Sequence, residues 1–119
     1  MLERTEYRRM SLTIMEVLNV IYQTAPGQGN AFYRELKAAG IDVSTRQEDG
    51  LICYEFFQSF EDADKIILLE IWKDTKSRFA HKNTQHFKRL TELYDEFPVQ
   101  FEVRSYHVDD SRKEEAEQI

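Results

Sequence analysis

Apolar residues along this chain follow two rhythms, one alternating and one at three- and four-residue spacing. Their order predicts the fold. Residues 11–22, SLTIMEVLNVIY, set Thr13, Met15, Val17, Asn19 and Ile21 against Leu12, Ile14, Glu16, Leu18 and Val20. Both sets are mostly apolar, so this first strand is expected to be covered on both faces. The cluster Ala25-Pro26-Gly27-Gln28-Gly29-Asn30 ends it, with Asn30 as the expected helix cap. Phe32, Leu36 and Ala39 then recur at helical spacing, and Ile41 and Val43 continue the apolar face. The pattern predicts one helix to about Gln47 with a defect at Gly40.

After the turn Glu48-Asp49-Gly50, two alternating runs at 51–59 and 65–73 flank the acidic connection Phe60-Glu61-Asp62-Ala63-Asp64. Leu68, Glu70 and Trp72 share one face of the second run, and Ile67, Leu69 and Ile71 share the other. Asp74 or Thr75 caps a short helix through about Lys82, Asn83-Thr84 marks a break and a second cap, and a helix follows from Gln85 to about Phe97. Its apolar side is Phe87, Leu90, Leu93, Tyr94 and Phe97, and Pro98 closes it. A last strand covers 99–108. Residues 1–10 read as a charged arm, 11–108 as the domain, and 109–119 as an acidic tail.

This order, β-α-β-β-α-β, predicts an α+β, ferredoxin-like fold: a four-stranded antiparallel sheet with helices on one face. The other face also carries apolar residues, and a chain of 119 residues has nothing left to cover it. A second copy packed sheet to sheet, a homodimer through the open sheet face, is the expected cover.

Charge and cysteine content narrow the function. The net charge of −6 and the absence of a Lys/Arg stripe exclude a nucleic-acid partner. The single Cys53 forms no internal disulfide and no zinc cluster, and it reads as a small buried hydrophobe. No signal-peptide core is present, and no apolar run approaches the roughly 20 residues of a membrane span. The expectation is a soluble, cytoplasmic protein that acts on a small molecule.

The segment from Ile67 to Phe87 gathers the candidate chemistry. It holds an acid (Glu70), an indole (Trp72) and two imidazoles (His81 and His86). If Glu70 reaches His81, the carboxylate would orient the ring and favour its protonated form, which suits general acid/base work. The plainer reading, a Glu–His hydrogen bond tying helix to strand, comes first. Trp72 is either the flat wall of a pocket or core. Tyr54 and Tyr106 either donate phenols into a cavity or pack with their hydroxyls at its rim. Asn19 either positions a substrate carbonyl or bonds to backbone, because an unpaired amide there costs about 1–3 kcal/mol. His81 and His86 are five residues apart, off the spacing that shares a helix face, so no metal site is expected from them.

Several of these runs also carry a family likeness. Gly50-Leu51-Ile52-Cys53-Tyr54-Glu55-Phe56-Phe57-Gln58-Ser59, Glu61-Asp62, Leu69-Glu70-Ile71-Trp72-Lys73-Asp74, Ala80-His81 and Thr84-Gln85-His86-Phe87 resemble the antibiotic biosynthesis monooxygenase family of dimeric α+β barrels. Pro26-Gly27 after the first strand also fits, and the resemblance covers about residues 12–108. It implies a homodimeric barrel with a pocket between sheet and helices in each subunit. It also implies a monooxygenase that needs no cofactor. Such an enzyme deprotonates a quinol-like or phenolic substrate to an electron-rich carbanion that reacts with molecular oxygen. The residue reading gives His81 and Glu70 as candidate catalytic residues and Trp72, Asn19, Tyr54, Tyr106 and His86 as candidate substrate-binding ones; the resemblance makes Glu70, Trp72 and His81 family markers. Other members isomerise phosphorylated autoinducer-2 breakdown products, a chemistry that wants Lys76, Arg78 or Lys82 at the pocket. Haem-degrading members use an Asn on the first strand with a Trp and a His on the helices. Here Asn19 fits the first, but His81 and Thr91 stand where the Trp and His belong, so haem degradation is not implied. A stress-linked dimer without a competent site is the non-enzymatic alternative.

Overall fold

The computed structural model describes residues 14–109. The expected arm, residues 11–13 and the tail beyond Asp109 lie outside the described residues. The elements run β1 (Ile14–Gln23), α1 (Gly29–Ala38), α2 (Ile41–Arg46), β2 (Leu51–Gln58), β3 (Lys65–Trp72), α3 (Thr75–His81), α4 (Gln85–Glu96) and β4 (Gln100–Asp109). The four strands form one antiparallel sheet in the order β2-β3-β1-β4, the ferredoxin-like arrangement expected from the sequence. Among the described residues, no helix is long and apolar enough to cross a membrane.

Each helical half is split in two. The single helix expected to Gln47 ends instead at Ala38, because Gly40 takes the left-handed conformation, φ 69°. That conformation suits glycine and closes a helix well. The Gly40 N–H reaches Lys37 O, and its carbonyl then accepts from Ser44 to start α2. Asn30 is not the cap. Helix α1 begins at Gly29, and the Asp64 carboxylate accepts from the Gly27 and Gly29 N–H groups at 2.9 and 3.0 Å. Those two bonds hold the Asp64 carboxyl below its usual range. The caps expected for the second half are as read. Asp74 accepts from Ser77 N at 2.8 Å, and Thr84 accepts from Phe87 N at 3.2 Å.

The helices pack on one face. On β1 that face carries Glu16, Leu18, Val20 and Tyr22, and on β3 it carries Ile66, Leu68, Glu70 and Trp72; all eight are buried. Phe32, Leu36, Ile41, Leu90 and Leu93 meet them from the helices. Burying each such side chain stabilises the fold by roughly 1.5–3 kcal/mol. The helices leave β4 largely uncovered: its residues are exposed on both faces although β1 pairs with it along its whole length, and only a few helix side chains, such as Tyr94 on Phe101, reach it.

Candidate functional site

The site forms where β3 ends beneath α3 and α4. Alternation on β3 sends both Glu70 and Trp72 toward the helices, and the Trp72 Nε1–H donates to Glu70 Oε1 at 3.0 Å. Burial pushes the Glu70 carboxyl up, against the Trp72 hydrogen bond and the nearby Arg78 charge. Helix α3 contributes Arg78, His81 and, just past its end, Lys82.

The break at Asn83–Thr84 changes the geometry of the two histidines. Five residues on a continuous helix would point apart, but the chain restarts at Thr84 and brings the rings to 5.5 Å between centroids. Both rings reach one carboxylate oxygen, Glu48 Oε2: His81 through Nδ1, and His86 through Nε2 at 2.8 Å. An ionised carboxylate only accepts, so those two ring nitrogens carry the protons. The His81 partner is therefore Glu48 and not Glu70, which corrects the expectation that Glu70 orients the ring. The expected protonated imidazole is corrected as well. Burial lowers the His81 pKa, outweighing the Glu48 hydrogen bond and charge, and so works against the protonated form.

With Nδ1 committed to Glu48, the other His81 nitrogen, Nε2, is left as an acceptor. The ring lines one end of a cavity of about 200 Å³ together with Glu70, Arg78 and Lys82. Leu18, Val20 and Tyr22 form the floor, Phe87, Leu90 and Tyr94 the roof, and Phe101 and Val103 of β4 the outer wall. Because the helices leave β4 largely uncovered, this wall is exposed and the cavity opens on that side. At the far end the Tyr22 and Tyr94 hydroxyls meet at 2.8 Å, and burial raises both phenols above their usual pKa. Arg78 is partly engaged: Nη1 donates at 2.8 Å to the buried Glu16, which also accepts from the Ser105 hydroxyl at 2.9 Å.

The structure thus brings together five of the seven residues read from the sequence. Trp72 packs against the His81 ring, centroids 5.2 Å apart, and Tyr54 lies edge-on to it at 6.4 Å. Neither lines the cavity. Asn19 and Tyr106 are not brought to it. Leu18 and Val20 face the cavity, so Asn19 between them faces the opposite side of the sheet. Ser105 and His107 bond to Glu16 and Thr75 on the helix side, so Tyr106 between them also faces away. Sequence reasoning missed Glu48, because a turn residue carries no periodicity. Its one signal was an acidic residue two positions before Gly50, a glycine held at φ 87°, where a Cβ would sit 2.3 Å from Ser77 Oγ.

Comparison with known proteins agrees with the fold. The family model described as antibiotic biosynthesis monooxygenase matches residues 15–93. No curated protein matches the chain significantly. Among solved structures, a conserved protein from Methanosarcina mazei is 27% identical, with TM-score 0.68, over 83% of this chain and 96% of its own. A conserved protein of unknown function from Bacteroides thetaiotaomicron, whose name offers oxidoreductase as one possibility, is 21% identical. Its TM-score is 0.72, over 81% of this chain and 99% of its own. A protein from Nitrosomonas europaea, provisionally named an antibiotic biosynthesis monooxygenase, is 21% identical with TM-score 0.68, over 80% of this chain and 88% of its own. At that identity the last two show the shared fold alone.

Proposed function

The chain belongs to the antibiotic biosynthesis monooxygenase family, and from that premise we propose that it is a cofactor-independent monooxygenase of a small quinol-like or phenolic substrate. The observation that carries this reading is His81 at the cavity's end, its Nδ1–H fixed by Glu48 and its Nε2 an acceptor. A planar substrate would lie between the Leu18–Val20–Tyr22 floor and the Phe87–Tyr94 roof. His81 Nε2 takes the phenolic proton, and the Arg78 and Lys82 charges stabilise the resulting anion. Its electron-rich ring carbon attacks molecular oxygen and forms a carbon–oxygen bond. Cleavage of the O–O bond leaves one oxygen on carbon as a carbonyl and releases the other as water. The phenolic proton held by His81 and the proton from the attacked ring carbon leave in that water, and the substrate supplies all four electrons that reduce oxygen to carbonyl and water, so the balance needs no cofactor.

Two copies complete the barrel in this reading, with the half-buried Val17, Ile21, Ile67, Leu69 and Ile71 facing the same residues of a partner. The presence of Arg78 and Lys82 at the cavity favours a second reading, an isomerase of a phosphorylated substrate. Arg78 is already paired with Glu16 and Glu70 lines the same end, so the remaining positive charge suits a singly charged phenolate better than a phosphate dianion. The aromatic walls favour the phenol. Oxygen uptake with a panel of quinols tests the proposal. Wild type is expected to consume oxygen with at least one quinol, and His81→Ala to lose that activity. No uptake with any quinol would remove the monooxygenase reading. Equal uptake by both proteins would remove the role of His81.

A further inference from the structure

We propose that Glu48, His81 and His86 form a binding site for one divalent cation of the zinc class. The three donor atoms, a carboxylate oxygen and two imidazole nitrogens, all lie within 4.8 Å of one another. A tetrahedral zinc ion holds nitrogen and oxygen ligands at about 2.0–2.2 Å, which puts ligand atoms about 3.3 Å apart. To admit the ion, the Glu48–His86 contact, at 2.8 Å, opens by about 0.5 Å and the shorter His81–Glu48 contact by more. Two imidazoles and one carboxylate suit zinc, cobalt or nickel rather than magnesium or calcium, which prefer oxygen ligands. Three protein ligands leave a fourth position open.

The scaffold holds these donors firmly. Glu48 lies in the turn before β2, His81 ends α3, and His86 is in the first turn of α4. The side chains of Glu48, His81 and His86 are 14, 5 and 18% exposed, sheltered yet reachable from the rim. Trp72 and Phe87 pack against the His81 ring and fix its plane, with centroids 5.2 and 5.1 Å away.

Binding has a chemical consequence at the cavity. The ion needs the Nδ1 lone pair of His81, so the ring proton moves to Nε2. The second ring nitrogen, Nε2, changes from acceptor to donor. If the monooxygenase reading holds, on which this consequence rests, the bound ion silences the base. The cation site itself stands or falls without it.

Metal-stripped protein titrated with cobalt(II) gives a direct readout, because tetrahedral cobalt absorbs visibly. The expected result is one ion per chain, displaced by zinc. Glu48→Gln and His86→Gln should each weaken binding at least about tenfold, since even partners beyond the ligands carry 10–100-fold. His107→Ala and Cys53→Ser remove the remaining histidine and the sole thiol and should change nothing. Imidazole nitrogen NMR of wild type, with and without zinc, guards against misfolded variants. The His81 Nδ1 and His86 Nε2 signals should shift to metal-bound positions. No stoichiometric binding, or binding lost on His107→Ala or Cys53→Ser and kept in His86→Gln, would overturn the site. Cobalt binding without oxygen uptake under any condition would sustain the site and remove the catalytic reading. Oxygen uptake by wild type that binds no cobalt would do the reverse.

Discussion

On β1, Leu18 and Val20 are buried beneath the helices, while their immediate neighbours Asn19 and Ile21 are half-buried on a face that no described element covers. The two faces of one strand thus have different roles. The helix side carries the core, the cavity with Glu70, Arg78, His81 and Lys82 at its end, and Glu48 and His86 bonded beside His81. The open side carries apolar side chains with Asn19, Arg104 and Tyr106 among them, and in the proposed dimer it is the interface. A one-residue step along the strand decides between them.

The largest expected contrast is in stability. Phe32→Ala on the helix side should cost about 3–5 kcal/mol, while Asn19→Ala on the open side should stay within about 0.5 kcal/mol. Urea unfolding at fixed protein concentration measures both, and comparable losses would erase the distinction.

Next comes the hinge between core and site. Gly50→Ala forces a side chain into the left-handed region and against Ser77, so it should cost about 1–3 kcal/mol in thermal unfolding. A neutral result there would mean that the turn holding Glu48 is looser than drawn.

The open face is tested by charge. Leu69→Lys should convert a dimer to a folded monomer, visible as halved mass in light scattering with an unchanged circular dichroism spectrum. A wild-type monomer would remove the barrel.

The smallest effect sharpens the helix side. The fold raises the Glu70 pKa, so the folded chain holds that proton more tightly than the unfolded one. Its contribution to stability is present at pH below the ordinary carboxyl value and is lost as pH rises through the raised one. Glu70→Gln keeps an acceptor for the Trp72 Nε1–H. It should therefore melt above wild type at about pH 8, with the gap closing toward about pH 4. An unchanged gap across that range would argue against a raised Glu70.

Much of the fold was legible in the sequence because each element carried its own period and punctuation. Alternation placed β2 and β3, Asp74 and Thr84 capped α3 and α4, and Pro98 preceded β4. The first helical half was less legible, because apolar residues continue past Gly40 and hide the left-handed break. The site was legible in part. Glu70, Trp72 and His81 do converge, since strand parity and a short connection bring them together. Asn19 and Tyr106 were unreadable as to face, because β1 and β4 carry apolar residues at both parities. Glu48 was unreadable altogether. It sits in a turn, and it meets both His81 and His86 because the helix breaks at Asn83–Thr84 and restarts, which brings the two rings together.

The account's central claim is that the helix side of the sheet performs the chemistry through Glu48-oriented His81. Oxygen-uptake rates of four variants with the best quinol test it most directly. Glu48→Gln and His81→Ala should each lose at least about 100-fold, while Asn19→Ala and Tyr106→Phe keep the wild-type rate. Loss confined to the Asn19 and Tyr106 variants would place the chemistry on the other face and contradict the account.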